Sequence, residues 1–422
     1  MKYIKEEDDF MNILLVGNGF DLAHGLPTKY TDFLKFVKVI RQVIQVENDE
    51  DLSSIDWADI NPHIRSLIEC WMGKERGNLF DQKSEWESLI IHNFWIEYFF
   101  KVPMYKKENW IDFEYEISRV IQNLDADMRM HSASLDEKAL FISNKYIEEF
   151  FKAKLPSGVA EGISRTGEIV SYKEIRDVLY EDLNKLIRAF ERYLVDYIEK
   201  MEKIRVSPEI KKLNIDHVLS FNYTHTYYHI YSELESNKIE YDYIHGEAKK
   251  NGGFASNNMV LGIDEYLPEG RKNRDIDFIA FKKYYQRIYK ATGCKYKHWV
   301  DGIRESEYSC KQKLKQQYPE QVPYEKFITK YHLYIFGHSL DVTDRDILRD
   351  LILNDSVLTT IFYCKKYDKN GQDDNGKQDL GAKIANLVKI IGQDELIRRT
   401  GGDTETIKFK LQEDMEVKEN FR

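Results

Sequence analysis

Asn12-Ile13-Leu14-Leu15-Val16-Gly17-Asn18-Gly19-Phe20-Asp21-Leu22-Ala23-His24-Gly25-Leu26-Pro27 is the stretch that decides the fold class. Its apolar run ends at Val16, too short for a helix, and glycines follow at once. After Pro27 a helical pattern begins, with Phe33, Leu34, Phe36 and Val37 spaced for one buried side and Thr28 or Thr31 placed to cap it. Strand, glycine turn, helix is how a doubly wound α/β unit opens. Glycines there let backbone N–H groups and a helix N-terminus approach a pyrophosphate closely. Gly17, Asn18, Gly19, Phe20, Asp21, Gly25, Leu26 and Pro27 are therefore candidate cofactor-binding residues. The Asp21 carboxylate would repel phosphate, which assigns it to ribose hydroxyls or loop amides. His24 reads as a solvent-facing loop residue.

Working outward, strand-like runs recur at 217–221 (HVLSF), 241–244 (YDYI), 258–263 (NMVLGI), 332–336 (HLYIF) and 359–363 (TTIFY), with an edge strand at 406–411. A helix is predicted at 343–353, a polar loop at 367–380 and helices over 382–399. Residues 56–203 are helical and aromatic. Trp110, Phe113, Ile117, Val120, Ile121 and Leu124 follow a 3.6-residue stripe, as do Leu183, Leu186, Ile187, Phe190, Leu194, Tyr197 and Met201; 157–167 reads as a loop. The fold class is α/β and Rossmann-like, a mostly parallel sheet with large α-helical insertions. Residues 1–55, 207–265 and 330–422 form its core; 56–206 are one helical insertion and 266–329 a second, tyrosine-rich one.

Composition excludes several classes. Of 422 residues, 42% are apolar, with 22 Gly and 8 Pro, so the chain is neither collagen-like nor disordered. Lys and Arg total 62 against 72 Asp and Glu, a net charge of −10, so nucleic acid or an acidic membrane would need a local basic patch. One stretch fits that description: 278–300 carries Lys282, Lys283, Arg287, Lys290, Lys295 and Lys297 interleaved with Tyr284, Tyr285, Tyr289, Tyr296 and Trp299. A solvated amphipathic helix accounts for it more simply, so no nucleic-acid partner is expected. No apolar run approaches membrane-spanning length, and the acidic 1–10 segment is unlike a secretory leader. Four scattered cysteines form no C-x-x-C pair. These features together predict a cytoplasmic protein without a membrane partner.

Three further strand ends carry polar corners, where open α/β sheets bind ligands. Asn222 ends 217–221 and can hold a hydroxyl or a water. His245-Gly246 follows 241–244, and an imidazole with a pKa near 6.5 suits a general base. Gly337-His338-Ser339 lies between a strand and a helix and offers a second anion-binding turn. Asp112 and Glu114 read as surface carboxylates.

GNGFDLAHGLPTKYTDF, taken with FNYT, YIHGE and FGHSLDVTDRDIL, resembles the abortive-infection family H (AbiH) of bacterial antiphage proteins. The same order is similar to a divergent sirtuin-type (sirtuin/DHS-like) NAD-binding domain. Gly17, Gly19, Gly25 and Pro27 match the sirtuin glycine stretch, Asn222 the T-Q-N-I-D stretch, His245-Gly246 the catalytic H-G, and Gly337, Ser339 and Leu340 the G-T-S-L stretch. Asn18 and Asp21 replace Ala and Ser, Thr224 stands where sirtuins carry Asp, and the zinc ribbon is absent, which argues against a protein deacylase. The resemblance implies an antiphage effector that cleaves NAD+ as substrate and calls for no metal. Asn222 would position water or ribose, His245 would act as general base, and Gly17 to Asp21 with Gly337 to Ser339 would hold the dinucleotide. It also implies a phage-derived trigger or partner protein and is compatible with self-association into a homo-oligomer. A non-catalytic nucleotide sensor and a nucleic-acid-binding defence protein are the alternatives.

Overall fold

The computed structural model describes residues 11–46, 55–73, 76–103, 105, 111–129, 145–151, 171–203, 205–232, 238–250, 253–317, 331–365, 374–402 and 405–417. The acidic segment 1–10 and the loop expected at 157–167 lie outside the described residues. The chain divides into two compact units. One comprises Met1–Leu26, Glu202–Glu247 and Thr292–Arg422; the other comprises Pro27–Met201 and Ala248–Ala291.

The first unit is built on a parallel sheet. Its strands are β1 (Asn12–Val16), β3 (His217–Ser220), β4 (Glu240–Tyr243), β5 (Tyr331–Phe336), β6 (Val357–Tyr363) and β7 (Ile407–Leu411). A separate antiparallel ribbon pairs β2 (Arg205–Val206) with β8 (Glu416–Val417). The six-stranded order is β4-β3-β1-β5-β6-β7, every neighbour parallel. Counted along the chain this is 3-2-1-4-5-6, the order of a doubly wound sheet, with its switch point between β1 and β5. Both faces are covered, which is why β1 is almost wholly apolar. Ile13, Leu15, Leu219, Leu333 and Ile335 pack with Trp299, Leu348, Leu351 and Leu387 on one face, while Leu14, Val16, Val218 and Phe336 pack with Phe20, Ile210, Tyr227 and Tyr231 on the other. This alternation follows the two-residue period of a strand.

Strand register aligns the polar corners. Val16 pairs with both Ser220 and Phe336, and Ser220 pairs with Tyr243. The row Tyr243–Ser220–Val16–Phe336 therefore forms a common carboxyl edge. Two residues beyond that row come His245, Asn222, Asn18 and His338.

The second unit is helical, with Tyr30–Gln45, Arg76–Ile90, Phe94–Lys101, Phe113–Arg129 and Tyr172–Tyr193 as main helices. Its core is aromatic: Phe33, Phe36, Trp86, Trp95, Phe99, Phe113 and Tyr193 are all essentially inaccessible. Phe113 stacks on both Tyr30 and Phe99, with ring centroids 4.2 Å apart in each pair. Caps are local. Ser171 accepts the Glu174 N–H and Glu174 accepts the Ser171 N–H. Tyr30–Gln45 is capped at Lys29, whose N–H meets Asp32, rather than at Thr28 or Thr31.

Some local expectations need correction. The 258–263 segment is not a strand; apart from one bridge at Ile263, side chains bond the backbone of Met259 and Leu261. Gln286 accepts from the Leu261 N–H and donates to the Leu261 carbonyl, and Lys290 donates to the Met259 carbonyl. An apolar run supplied with such partners has no need of a ladder. The helix expected at 343–353 is a 3₁₀ turn (Val342–Asp344) leading into Arg345–Ile352. The last helices are Lys377–Ile391 and Gln393–Arg399, so helix begins inside the segment read as loop.

Candidate functional site at the carboxyl edge of the sheet

A short helix, α1 (Asn18–Ala23), occupies the turn directly after β1. Gly17 donates its N–H to Phe336 O (3.2 Å), Gly19 to Gly337 O (2.8 Å) and Phe20 to Gly17 O (2.8 Å). The two glycine turns thus hold each other across the switch point. A Cβ on Gly19 would lie 2.7 Å from the Gly337 oxygen, and one on Gly337 only 2.1 Å from the Phe20 nitrogen. Gly337 also has φ +70°, a conformation that favours glycine. The close approach served by these two glycines is between two turns of the same chain. Asn18, Gly25 and Ser339 are exposed; Leu26 is buried.

Asn222 is buried and bolts β3 to β1: its Nδ2 donates to Gly17 O at 3.0 Å, and its N–H donates to Ser220 Oγ at 3.1 Å. Beside it, Asp21, Ser220, Thr224, Thr226, Tyr227 and Tyr243 line a recess of about 210 Å³, counting its open mouth. Thr224 donates to Asp21 at 2.6 Å, and Thr226 to Thr224 at 3.1 Å. A carboxylate ringed by hydroxyls and an amide can hold alcohol groups by hydrogen bonding. Asp21, assigned from sequence to ribose hydroxyls or loop amides, here accepts the hydroxyl proton of Thr224.

His24 is buried, contrary to its reading as a solvent-facing loop residue. Its Nδ1–H donates to Phe20 O (2.7 Å), so its Nε2 accepts the Tyr231 hydroxyl proton (2.8 Å). Tyr231 in turn accepts the Ser207 N–H at 2.8 Å. Burial pushes the Tyr231 phenol above its ordinary range. This chain of bonds anchors the end of α1.

His245 and His338 approach a shared carboxylate. Asp344 Oδ1 lies 3.5 Å from His245 Nε2, and Asp344 Oδ2 lies 3.4 Å from His338 Nε2. Phe221 meets both imidazoles edge-on, with centroids 5.5 Å from His245 and 4.5 Å from His338. His245 Nδ1 is buried and has no hydrogen-bond partner among the described residues. Leu340 N–H donates to His338 Nδ1 at 2.9 Å. From Lys377–Ile391, buried Lys383 donates to the His338 carbonyl (2.6 Å) and Asn386 to the Ser339 carbonyl (3.0 Å). Asp344 is the residue that sequence reasoning missed. The only signal was a second acid after the FGHSL turn, and Asp341, which caps Thr343, gives the same signal.

The edge therefore gathers Gly17, Asn18, Gly19, Phe20, Asp21, Asn222, His245, Gly337, His338 and Ser339 within one unit. Pro27 belongs to the helical unit, where its carbonyl accepts the Tyr193 hydroxyl.

The basic-aromatic stretch is divided between core and surface: Tyr284, Tyr289, Lys295 and Lys297 are exposed, whereas others turn inward. Lys282 is 1% exposed and pairs with Glu265 (2.9 Å), Lys283 pairs with Glu114 (2.7 Å), and Tyr296 and Trp299 are core. Burial lowers the Lys290 ammonium to about 8. Asp112, at the head of Phe113–Arg129, accepts the Tyr115 N–H. Among the described residues no helix is long and apolar enough to cross a membrane.

Strand order, register and a polar carboxyl edge define a doubly wound, Rossmann-like α/β protein. The chain belongs to the family described as "Bacteriophage abortive infection AbiH", whose profile matches residues 13–363. No curated protein matches it significantly.

Proposed function

We propose that this protein is an antiphage effector that hydrolyses NAD+ at the bond between nicotinamide and ribose. The observation supporting this most is the register row, which carries an amide (Asn222) and an imidazole (His245) to equivalent positions beyond one sheet edge, beside the switch point. Asp21, Thr224 and Asn222 offer hydroxyl-binding groups suited to a ribose. The enclosed part of the recess has room for about one water molecule, far less than a ligand-sized site. A dinucleotide would therefore extend outward, past exposed Asn18 and Ser339.

In the reaction the C1′–N bond breaks, and its electron pair neutralises the pyridinium nitrogen as nicotinamide leaves. A water oxygen bonds to C1′ and passes its proton to His245. The cationic leaving group needs little assistance, so orientation by Asn222 and removal of one proton are the protein's main contributions. Incubation of the purified protein with NAD+ should release nicotinamide and ADP-ribose. His245→Ala should abolish that release while retaining the wild-type circular dichroism; equal turnover by the variant would remove His245 from the mechanism. Saturable NAD+ binding without products would instead support the sensor reading.

A further inference from the structure

The arrangement of His338, Asp344 and His245 is directional, because hydrogen-bond donors and acceptors can be assigned along it. Leu340 is fully buried and left-handed (φ +57°), and its N–H points at His338 Nδ1 (2.9 Å). A backbone N–H only donates, so Nδ1 of His338 carries a lone pair and its ring proton sits on Nε2. That Nε2–H faces Asp344 Oδ2 at 3.4 Å, while His245 Nε2 faces the other oxygen at 3.5 Å. An ionised carboxylate offers only lone pairs, so His245 also turns an N–H toward it. Its remaining lone pair is then on Nδ1, the buried atom without a partner among the described residues.

We infer that Asp344 and His338 are positioning residues: His338 holds Asp344, and Asp344 fixes His245 as the Nε2–H tautomer, making Nδ1 the atom that accepts a proton. The assignment of that proton to substrate water rests on the proposed NAD+ hydrolysis; the tautomer assignment stands apart from it. Among the described residues, a charged group that reaches this cluster from Lys377–Ile391 is the Lys383 ammonium, which bonds the His338 carbonyl and lies 3.7 Å from Asp379. Phe221 supplies a neutral wall to both rings.

The test is imidazole ¹⁵N NMR of the histidine-labelled full chain, with assignments from His245→Gln and His338→Gln, alongside steady-state nicotinamide release. Expected in the wild type is the Nε2–H form at both rings. Asp344→Asn should remove that preference at His245, while His338, held by Leu340, keeps its tautomer. It should also lower kcat about 100-fold with little change in KM, and Asp344→Glu should restore part of the loss. A wild-type Nδ1–H form at His245, or a tautomer preference unmoved by Asp344→Asn, overturns the inference. If Asp344→Asn does not fold, the wild-type tautomer still decides. If the wild type releases no nicotinamide, NAD+ hydrolysis fails and the NMR result judges Asp344 separately.

Discussion

At Gly337 a single methyl group decides whether the two turns can meet. Alanine there would put its Cβ 2.1 Å from the Phe20 nitrogen, at φ +70°. The atom it strikes is backbone, which cannot swing aside. Gly337→Ala should destabilise the sheet unit by about 3 kcal/mol or more, read by urea denaturation. Gly302, inside the helix Tyr296–Gln317, has nothing within 4 Å of its Cβ position. Gly302→Ala should leave stability unchanged or raise it by about 0.5–1 kcal/mol. If both variants unfold at the wild-type midpoint, the interlocked turns do not carry the stability assigned to them. The sequence exposes the glycines as special but not why, because the need for no side chain arises from a turn more than 300 positions away. Asn222 and His245 stand out as polar residues closing apolar runs. Asp344 does not, since its role exists only once β4 and β5 end at the same edge of the sheet.

Elements whose signals are local were the legible ones. β1, β3, β4, β5 and β6 each combine an apolar run with a turn, and their parallel pairing follows from the intervening helices. The two-residue strands β2 and β8 are too short to leave a pattern. The six-residue α1 hides inside a glycine turn that reads as loop. The 258–263 run shows the limit of apolar content as a strand signal: its partners are the side chains of Gln286 and Lys290, about 25 to 31 positions away. Gln286 is buried and makes three bonds to the Leu261 and Ala280 backbones. Gln286→Ala should therefore cost about 2–3 kcal/mol, since it strands buried backbone groups. Hydrogen exchange at the Leu261 amide should quicken with it; an unchanged rate would mean that Gln286 is not what holds this segment.

At the scale of the whole molecule, stability should depend on pH with a definite sign. Burial lowers the pKa of His217, against the opposing pull of Glu240 and Asp216, and burial alone lowers that of His332. Each then takes up a proton less readily folded than unfolded, so its contribution is complete above the unfolded value near 6.5 and is lost as pH falls below it. The thermal midpoint should decline from pH 7 to pH 5, and a His217→Gln/His332→Gln variant should decline less. Parallel slopes would place the acid sensitivity elsewhere. The net charge of −10 and the burial of Lys282 and Lys283 also predict that DNA and RNA columns will not retain the protein at physiological salt. The most direct test of the central claim is the NAD+ content of phage-infected cells expressing either the wild type or His245→Ala at equal levels. NAD+ should collapse, with nicotinamide and ADP-ribose accumulating, in the wild-type cells alone. Wild-type cells that abort infection with their NAD+ pool intact would contradict it.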